Sequence, residues 1–282
     1  MCRHTLKESV FHFAAITALP VCQNYPRHAL DVNVAGVASV MEYSRIAGVR
    51  RFIFASTSAV YEGNHEPVFT ETLTVSPHLI YSLSKYQIEQ LVFANAFAYD
   101  LDVVVLRFFN VYGPHQDFRR LSPPLASYVV RELVNGRVPI FHSNGEQSRD
   151  YIFVTDLMDL AIRAMSSPNA KGQIFNVASG RSYSVNEMYL IVAKQLNSNI
   201  RPVYHEAVDF WKAYPEMFSG AKPLNVSILV KEVNKRSLGS NEKARNLLGW
   251  EPKVTMEQGL SAMIDYVRKR NAGASKVRTS WD

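Results

Sequence analysis

Four short runs of β-branched and aromatic residues constrain the fold of this chain more than any other feature. They are SVFHFA (9–14), RRFIFAS (50–56), VVVLRFF (103–109) and QIFNVA (173–178). Each run is apolar at successive positions rather than at alternate ones, which is typical of strands buried on both faces of a parallel sheet. Helical patterns at 28–47 and 79–99 separate the first three runs and are long enough to be crossovers. This order predicts an α/β fold with a doubly wound parallel sheet.

The pattern changes after residue 110. A proline-containing loop (113–124) and a helical pattern (125–136) lead into a polar stretch. Four further helical patterns follow, near 155–166, 184–197, 241–248 and 255–270. We therefore predict a smaller C-terminal lobe that packs on the carboxyl edge of the sheet and exchanges elements with it.

Composition excludes several classes of protein. The two cysteines, Cys2 and Cys22, are too few for a disulfide framework and lack metal-ligand spacing, so we expect inert thiols and a cytoplasmic protein. No apolar run approaches the roughly 18–20 residues that span a bilayer, and the first ten residues lack the apolar core of a signal peptide. The net charge of +6 favours anionic partners, but the basic residues are dispersed, which indicates a solvated surface rather than a nucleic-acid site.

A tyrosine and a lysine stand four residues apart in PHLIYSLSKYQIEQ (77–90), in the first turn of a predicted helix. Tyr81, Lys85, Ile88 and Val92 share one helix face, which is polar at its start and apolar further on. A free tyrosine ionises near pH ~10, so Tyr81 needs nearby positive charge to act as a base, and Lys85 could supply it. The spacing is short enough to arise by chance, and a surface tyrosine beside a solvated lysine is the alternative.

Polar side chains follow two of the predicted strands. FIFASTSAVYE (52–62) ends a strand in hydroxyl residues, and VVVLRFFNVYGPHQ ends another in Asn110. Ligands of open α/β sheets bind beyond the carboxyl ends of strands, where a hydroxyl of Ser56, Thr57 or Ser58 could bond a substrate oxygen and relay its proton. The alternative is that these serine and threonine residues only form a turn. Arg149 lies beside a further predicted strand and is an obvious counter-charge for a diphosphate.

A glycine-rich turn after the first strand is absent. Dinucleotide-binding sheets use such a turn to bring backbone N–H groups to a pyrophosphate. Here the first glycine is Gly36, and no G-x-G-x-x-G, G-x-x-G-x-x-G or G-x-x-x-x-G-K-[ST] occurs. The usual phosphate cradle is therefore not part of this sequence.

Eight short motifs, taken in order, carry a resemblance to a known family. They are HFAA (12–15), NVAGV (33–37), STSAVY (56–61), YSLSK (81–85), RFFNVYGP (107–114), RDYIFVTD (149–156), FNVASG (175–180) and LLGWEP (247–252). The chain resembles the extended short-chain dehydrogenase/reductases, specifically the NAD-dependent nucleotide-sugar epimerases and dehydratases, and most of all the UDP-hexose 4-epimerases. The likeness runs from about residue 9 to residue 270.

The resemblance implies catalytic roles for three residues. Tyr81 would be the base, Lys85 would hold the nicotinamide ribose and lower the tyrosine pKa, and Thr57 would be the hydroxyl partner. The implied reaction is removal of the C4-hydroxyl proton by Tyr81, hydride transfer to NAD, rotation of the 4-keto sugar and return of the hydride to the other face. Ser58 and Ala59 stand where dehydratases carry Asp-Glu, which argues against elimination of water.

Binding residues follow from the same resemblance. The positions that match those lining the cofactor are Ala14, Ala15 and Asn33, together with Tyr81 and Lys85. Asn110 and Arg149 match residues that contact the diphosphate of the nucleotide sugar.

The segment LVKEVNKRSLGSNEKA departs from the family, whose members usually carry Arg-x-Gly-Asp there. Lys231 is the nearest stand-in for the diphosphate-binding arginine, and Arg236 is the alternative. Ser237 matches a position beside the C2 substituent of the sugar, where a small side chain would leave room for an N-acetyl group. UDP-hexose and UDP-N-acetylhexosamine are thus both candidate substrates.

The same likeness sets the remaining expectations. Residues 1–115 would be the remainder of a dinucleotide-binding domain, which strand 173–178 also joins, and residues 116–282 mainly a substrate-binding lobe.

Sixty or more residues precede HFAA in the family, so we expect an N-terminally truncated gene product or gene model, with a functional short form as the alternative. The missing glycine-rich turn puts NAD binding in question. The helices at 28–47 and 79–99 would form a homodimer.

Two other functions stay open. One is a nucleotide-sugar 4-reductase or another oxidoreductase of the family, which would consume NAD(P)H instead of recycling it. The other is a non-catalytic descendant that binds nucleotide sugars or RNA.

Overall fold

The computed structural model of the chain describes residues 9–118 and 123–278, with side chains described as far as residue 272. Its strands are β1 (Ser9–His12), β2 (Arg51–Thr57), β3 (Asp102–Phe108), β4 (Asn110–Tyr112), β5 (Ile140–His142), β6 (Ser148–Phe153), β7 (Gln173–Val177), β8 (Ser182–Ser184) and β9 (Val203–His205). Its α-helices are α1 (Leu19–Asn24), α2 (Pro26–Leu30), α3 (Gly36–Ile46), α4 (Ile80–Tyr99), α5 (Leu125–Val134), α6 (Val154–Ser166), α7 (Val185–Leu196), α8 (Val226–Asn234), α9 (Glu242–Leu248) and α10 (Met256–Arg278). A π-helical turn, Asp31–Ala35, joins α2 to α3.

The main sheet is parallel and has the strand order β1-β2-β3-β7. All four strands coincide with the apolar runs of the sequence, and every residue of β2 is buried. Because consecutive side chains of a strand point to opposite faces, Phe52 and Phe54 pack with α3 and α4, whereas Ile53 packs with α6 and α9. Helices thus cover both faces of a parallel sheet, which confirms the α/β prediction.

Helices α3 and α4 form the first covering layer. Val37 and Met41 of α3 and Ile88 and Val92 of α4 are buried against this face of the sheet. The later turns of α4 therefore anchor the helix, as its apolar stripe predicts. The homodimer through these two helices stays a prediction.

The second lobe is built around α5, α7 and α10, which share one apolar core with β6 and β8. A three-stranded sheet, β4-β6-β8, and the pair β5-β9 connect this lobe to the cavity described below. The sequence predicts the long helices of this lobe, but not its strands of three residues, because such short segments show no measurable period.

A segment that we call the cover, residues 206–235, holds two 3₁₀ turns, Ala207–Trp211 and Pro215–Phe218, and helix α8. Its buried side chains Trp211, Tyr214, Met217 and Leu229 form a separate small cluster. Leu19 and Val21 of α1 pack against that cluster, so the cover joins the first lobe to the second. None of the helices that the structure describes is long and apolar enough to cross a membrane.

Candidate active site

A cavity of about 960 Å³ lies at the carboxyl ends of β2 and β3. Its walls come from residues 55–59 at the end of β2, residues 108–111 at the end of β3 and in β4, the first turns of α4, the β5 and β6 region, and the cover. Parallel strands end at one edge of the sheet, and this edge is where open α/β sheets bind ligands. The fold therefore brings Thr57, Tyr81 and Lys85 to the same cavity.

Tyr81 is half-buried in the first turn of α4. Burial raises the pKa of its phenol to about 12, and a side-chain hydrogen bond with Thr57 partly opposes that rise. Thr57 also caps the turn that follows β2, because its Oγ1 accepts a 3.1 Å hydrogen bond from the N–H of Ala59. The Thr57 hydroxyl is thus held by its own turn and directed at the phenol.

Lys85 lies one turn further along α4 and is 3% exposed. Its Nζ donates a 2.8 Å hydrogen bond to the carbonyl of Ala55 and lies 4.9 Å from the centroid of the Phe54 ring. Burial lowers the pKa of Lys85 to about 8. The resemblance implies that Lys85 lowers the pKa of Tyr81, whereas burial raises the pKa of the phenol and the hydrogen bond with Thr57 only partly opposes that rise.

A buried ion pair fixes α4 against the sheet beneath these residues. Glu89, two turns after Tyr81, accepts hydrogen bonds of 3.0 and 2.7 Å from Nε and Nη2 of Arg107 on β3. Ser56, which precedes Thr57, donates to the same carboxylate. Glu89 and Arg107 are 0% and 3% exposed. One carboxylate therefore connects the helix that carries Tyr81 with the strand that carries Thr57.

The Cys22 thiol is buried beside this group, close enough for its charge to influence both Tyr81 and Lys85. Burial raises its pKa to about 11, and its Sγ donates to the carbonyl of Ile16. A thiol that keeps its proton is unreactive, which agrees with the inert role expected from the sequence. Cys2 lies outside the described residues.

Three of the residues that the resemblance matches to the cofactor, Ala14, Ala15 and Asn33, do not line the cavity. Ala14 is exposed and Ala15 is half-buried, and neither lines the cavity, although Phe13 and Thr17 beside them do. Asn33 is 1% exposed and also does not line the cavity. Its side chain bonds both backbone groups of Ile16, at 2.8 Å to the N–H and 3.0 Å to the carbonyl. Asn33 therefore positions the loop after β1.

Tyr81 and Lys85 place a phenol and an ammonium at the cavity wall, and these groups fit a nicotinamide ribose. The stretch that follows β1, residues 13–18, contains no glycine.

The residues matched to the diphosphate both line the cavity. Asn110 lines the cavity, and its Nδ2 donates to the carbonyl of Asp150 at 2.9 Å. Arg149 also lines it, but its guanidinium donates to the carbonyls of Glu232 and Lys235, at the C-terminal end of α8. A cation suits a helix C-terminus, so Arg149 holds the cover in place.

Lys231 and Arg236 are the two candidates for the diphosphate-binding arginine of the family. Both are exposed, and neither lines the cavity. Lys235, one turn after Lys231, does line the cavity and contacts Glu232 at 3.7 Å. Sequence reasoning missed Lys235 because only the end of α8 decides which lysine turns inward. Ser237 lines the cavity as expected and is 4% exposed.

Comparisons with known proteins identify the family. A model of the NAD dependent epimerase/dehydratase family matches residues 3–178. The chain is 29% identical over 268 residues to the UDP-glucose 4-epimerase of Mycolicibacterium smegmatis, which covers 94% of this chain and 77% of that protein. It is also 29% identical over 261 residues to the dTDP-D-glucose 4,6-dehydratase of Mus musculus, covering 92% of this chain and 67% of that protein.

Solved structures give the same result. The UDP-glucose 4-epimerase of Thermotoga maritima, solved with UDP-glucose, has a TM-score of 0.81 at 30% identity and covers 94% of this chain and 78% of its own. The UDP-glucose 4-epimerase of Thermus thermophilus, solved with NAD, has a TM-score of 0.77 at 26% identity and covers 93% of this chain and 78% of its own.

Proposed function

Since the chain belongs to the NAD-dependent epimerase/dehydratase family, we propose that it is a nucleotide-sugar 4-epimerase. Its substrate would be a UDP-hexose or a UDP-N-acetylhexosamine. The observation that carries the proposal is a single cavity that joins a Thr57–Tyr81–Lys85 group to the cations Arg149 and Lys235. A sugar and its diphosphate need these two kinds of site side by side.

The proton chemistry belongs to Thr57 and Tyr81. With a pKa of about 12, Tyr81 holds its proton at neutral pH, so acceptance of a proton from the sugar requires the phenolate to be stabilised. Thr57 contributes by its hydrogen bond to the phenol and offers its hydroxyl to the sugar oxygen. NAD, when bound, supplies the hydride acceptor and adds a cationic ring to the site. Tyr81 and Lys85 are the residues that would hold its nicotinamide ribose.

The diphosphate would bind Arg149 and Lys235. The charges of Arg149, Lys235 and Glu232 sum to one net positive charge. Glu232 lies 3.7 Å from Lys235. A guanidinium can bind a phosphate through two parallel hydrogen bonds, so a diphosphate competes with the carbonyls of α8 for Arg149. Lys235 takes the role that the resemblance implies for Lys231.

The residues at the part of the cavity where the sugar would bind favour epimerisation over dehydration. Ser58 and Ala59 line the cavity and offer no acid and base pair for removal of water. Ser237 leaves space beside the sugar, so we include N-acetylhexosamines among the substrates. A nucleotide-sugar-binding protein without turnover is the second candidate.

The test incubates the purified chain with NAD and either UDP-glucose or UDP-N-acetylglucosamine and separates the 4-epimers chromatographically. Conversion by the wild-type chain, lost in Tyr81→Phe and Thr57→Ala, supports the proposal. Net accumulation of NADH would instead indicate an oxidoreductase. Binding of the sugar nucleotide without conversion would favour the second candidate.

The assignment of Lys235 has its own test. Lys235→Ala weakens binding of the UDP-hexose by roughly tenfold in calorimetry, because one charge-assisted contact is lost. Lys231→Ala is the matched control on the same helix and leaves binding unchanged. Equal affinities for the two variants would contradict the assignment.

A further inference from the structure

The first turn of α4, which carries Tyr81, is capped by side chains from outside the helix. The first N–H groups of a helix have no partner within it, and the residue before the helix commonly supplies one through its side chain. Leu79 stands in that place and has no polar side chain. Glu62 and Gln23, from two other segments of the chain, supply the hydrogen-bond acceptors instead.

Glu62 makes the larger part of this cap. Its Oε2 accepts hydrogen bonds from the N–H groups of His78 and Leu79, at 3.1 and 3.0 Å. The same oxygen accepts a 2.6 Å hydrogen bond from the hydroxyl of Ser82, which is 1% exposed. These donors come before and after Tyr81 in the chain, so one carboxylate fixes the backbone that carries the phenol. The helix dipole also favours a carboxylate at this end of a helix.

Glu62 also ends the turn that Thr57 begins. Thr57 is the N-cap of the 3₁₀ turn Ser58–Tyr61, and Glu62 is its C-cap, with its N–H bonded to the carbonyl of Ala59 at 3.0 Å. The N–H of Ala59 is the group that donates to the Thr57 hydroxyl. One short turn therefore holds that hydroxyl at its start and the carboxylate that caps α4 at its end. The position of Thr57 relative to Tyr81 depends on this turn.

Gln23 adds a second acceptor to the cap. Its Oε1 accepts a 3.2 Å hydrogen bond from the N–H of Ile80, the first residue of α4. Gln23 lies on α1, whose residues Leu19 and Val21 pack against the cover. A neutral amide oxygen is a weaker acceptor than a carboxylate, so Glu62 contributes more to the cap than Gln23 does.

We propose that Glu62 is a positioning residue for Tyr81. Glu62 does not line the cavity, so it acts through the first turn of α4 and not on the substrate. It keeps the phenol within hydrogen-bond reach of Thr57 and of the sugar hydroxyl. The proposal rests on the proposed function, because it assigns Glu62 a role in that reaction. Proton transfer needs donor and acceptor atoms about 2.6–3.2 Å apart, so a small displacement of the turn slows the reaction while ligand binding is kept.

Steady-state epimerase kinetics of three variants test the proposal. Glu62→Ala removes the acceptor and lowers kcat roughly tenfold or more, with the KM for UDP-glucose unchanged within about twofold. Glu62→Gln keeps an acceptor oxygen and restores kcat to within about threefold of the wild-type value. Gln23→Leu lowers kcat less than Glu62→Ala does, and it keeps the test valid if Glu62→Ala does not fold. Wild-type kcat in both Glu62→Ala and Gln23→Leu would overturn the proposal.

Glu187→Ala is the matched control. Glu187 caps helix α7, its Oε2 accepts from the N–H of Ser184 at 2.7 Å, and it does not line the cavity. Loss of this cap removes a carboxylate from a helix N-terminus in the same way and leaves kcat unchanged. A fall in kcat that Glu187→Ala reproduces would be a general effect of lost stability and would overturn the positioning role. A Glu62→Gln variant as slow as Glu62→Ala would also overturn it.

Hydrogen exchange distinguishes a failure of this proposal from a failure of the proposed function. If Glu62 holds the first turn of α4, the amides of residues 78–82 exchange roughly tenfold faster in Glu62→Ala and at the wild-type rate in Glu62→Gln. A folded wild-type chain that converts no nucleotide sugar would overturn the proposed function. Faster exchange in Glu62→Ala would then still support the positioning of Tyr81 by Glu62, and unchanged exchange would overturn it.

Discussion

Replacement of Lys85 by methionine should stabilise the protein at neutral pH. Lys85 is buried, and its pKa falls from an ordinary value of 10.5 to about 8 in the folded protein. Between these two values the unfolded chain binds more protons than the folded one, so the stability of the wild-type chain rises with pH over that range. Below pH 8 the charge is present in both states, and the folded state carries the whole penalty of burying it.

The two pKa values set the size of the effect. A difference of about 2.5 pKa units corresponds to about 3 kcal/mol at pH 7, where both states are charged. At pH 9.5 the same relation gives about 1 kcal/mol, because the folded lysine is then mostly neutral. Loss of the hydrogen bond to Ala55 subtracts about 1 kcal/mol at either pH. The advantage of Lys85→Met should therefore shrink by about 2 kcal/mol between pH 7 and pH 9.5.

Urea unfolding followed by circular dichroism at both pH values measures this advantage. Lys253→Met is the control, because Lys253 is exposed and its replacement removes the same charge without relieving burial. An advantage of Lys85→Met that stays constant with pH, or a loss of stability that is largest at pH 7, would refute the reasoning. A stabilising variant that has also lost epimerase activity would indicate that the buried charge is kept for function.

Three further outcomes follow from the same contacts. Because the pKa of Tyr81 is raised to about 12, product formation should rise from pH 6 to pH 9 in the epimer assay, and a flat profile would argue against a tyrosine base. Glu89→Gln leaves a buried arginine without its counter-charge and should lower the free energy of unfolding by about 3–5 kcal/mol in urea; a loss under about 1 kcal/mol would contradict this. Gly239→Ala places a methyl group 2.5 Å from both Ala178 Cβ and Phe109 Cζ and should lower the free energy of unfolding by about 1–3 kcal/mol. Gly36→Ala is the control, because its methyl group has its nearest contact at 3.6 Å and should not lower the melting temperature.

The sheet could be predicted from the sequence because its strands are buried on both faces. A run such as FIFA (52–55) is apolar at successive positions, which is typical of a parallel strand covered on both faces. Helix α4 was equally clear, since Ile88 and Val92 repeat at helical spacing below Tyr81 and Lys85. The cover was not predicted, because its 3₁₀ turns are short and α8 has nine residues. Its position depends on tertiary contacts such as that between Arg149 and the end of α8.

The sequence indicates the positions of side chains that single elements place at the cavity. Thr57 ends β2 and Tyr81 lies in the first turn of α4, so both positions are set by their own elements. Lys235 was not predicted, because Lys231 and Lys235 differ by one helical turn and composition cannot tell which of them faces inward. The sequence does not mark Trp211 as a cavity residue, because a lone aromatic residue in a polar stretch matches no motif.

The central claim is that this cavity binds a nucleotide diphosphate sugar through Arg149 and Lys235. The most direct measurement is a calorimetric titration of the purified chain with UDP-glucose, with NAD titrated in parallel. The account predicts one UDP-glucose site per chain with a Kd on the order of micromolar, about 8 kcal/mol of binding free energy. A chain that is folded by circular dichroism but gives no heat of binding with UDP-glucose at millimolar concentration would contradict it.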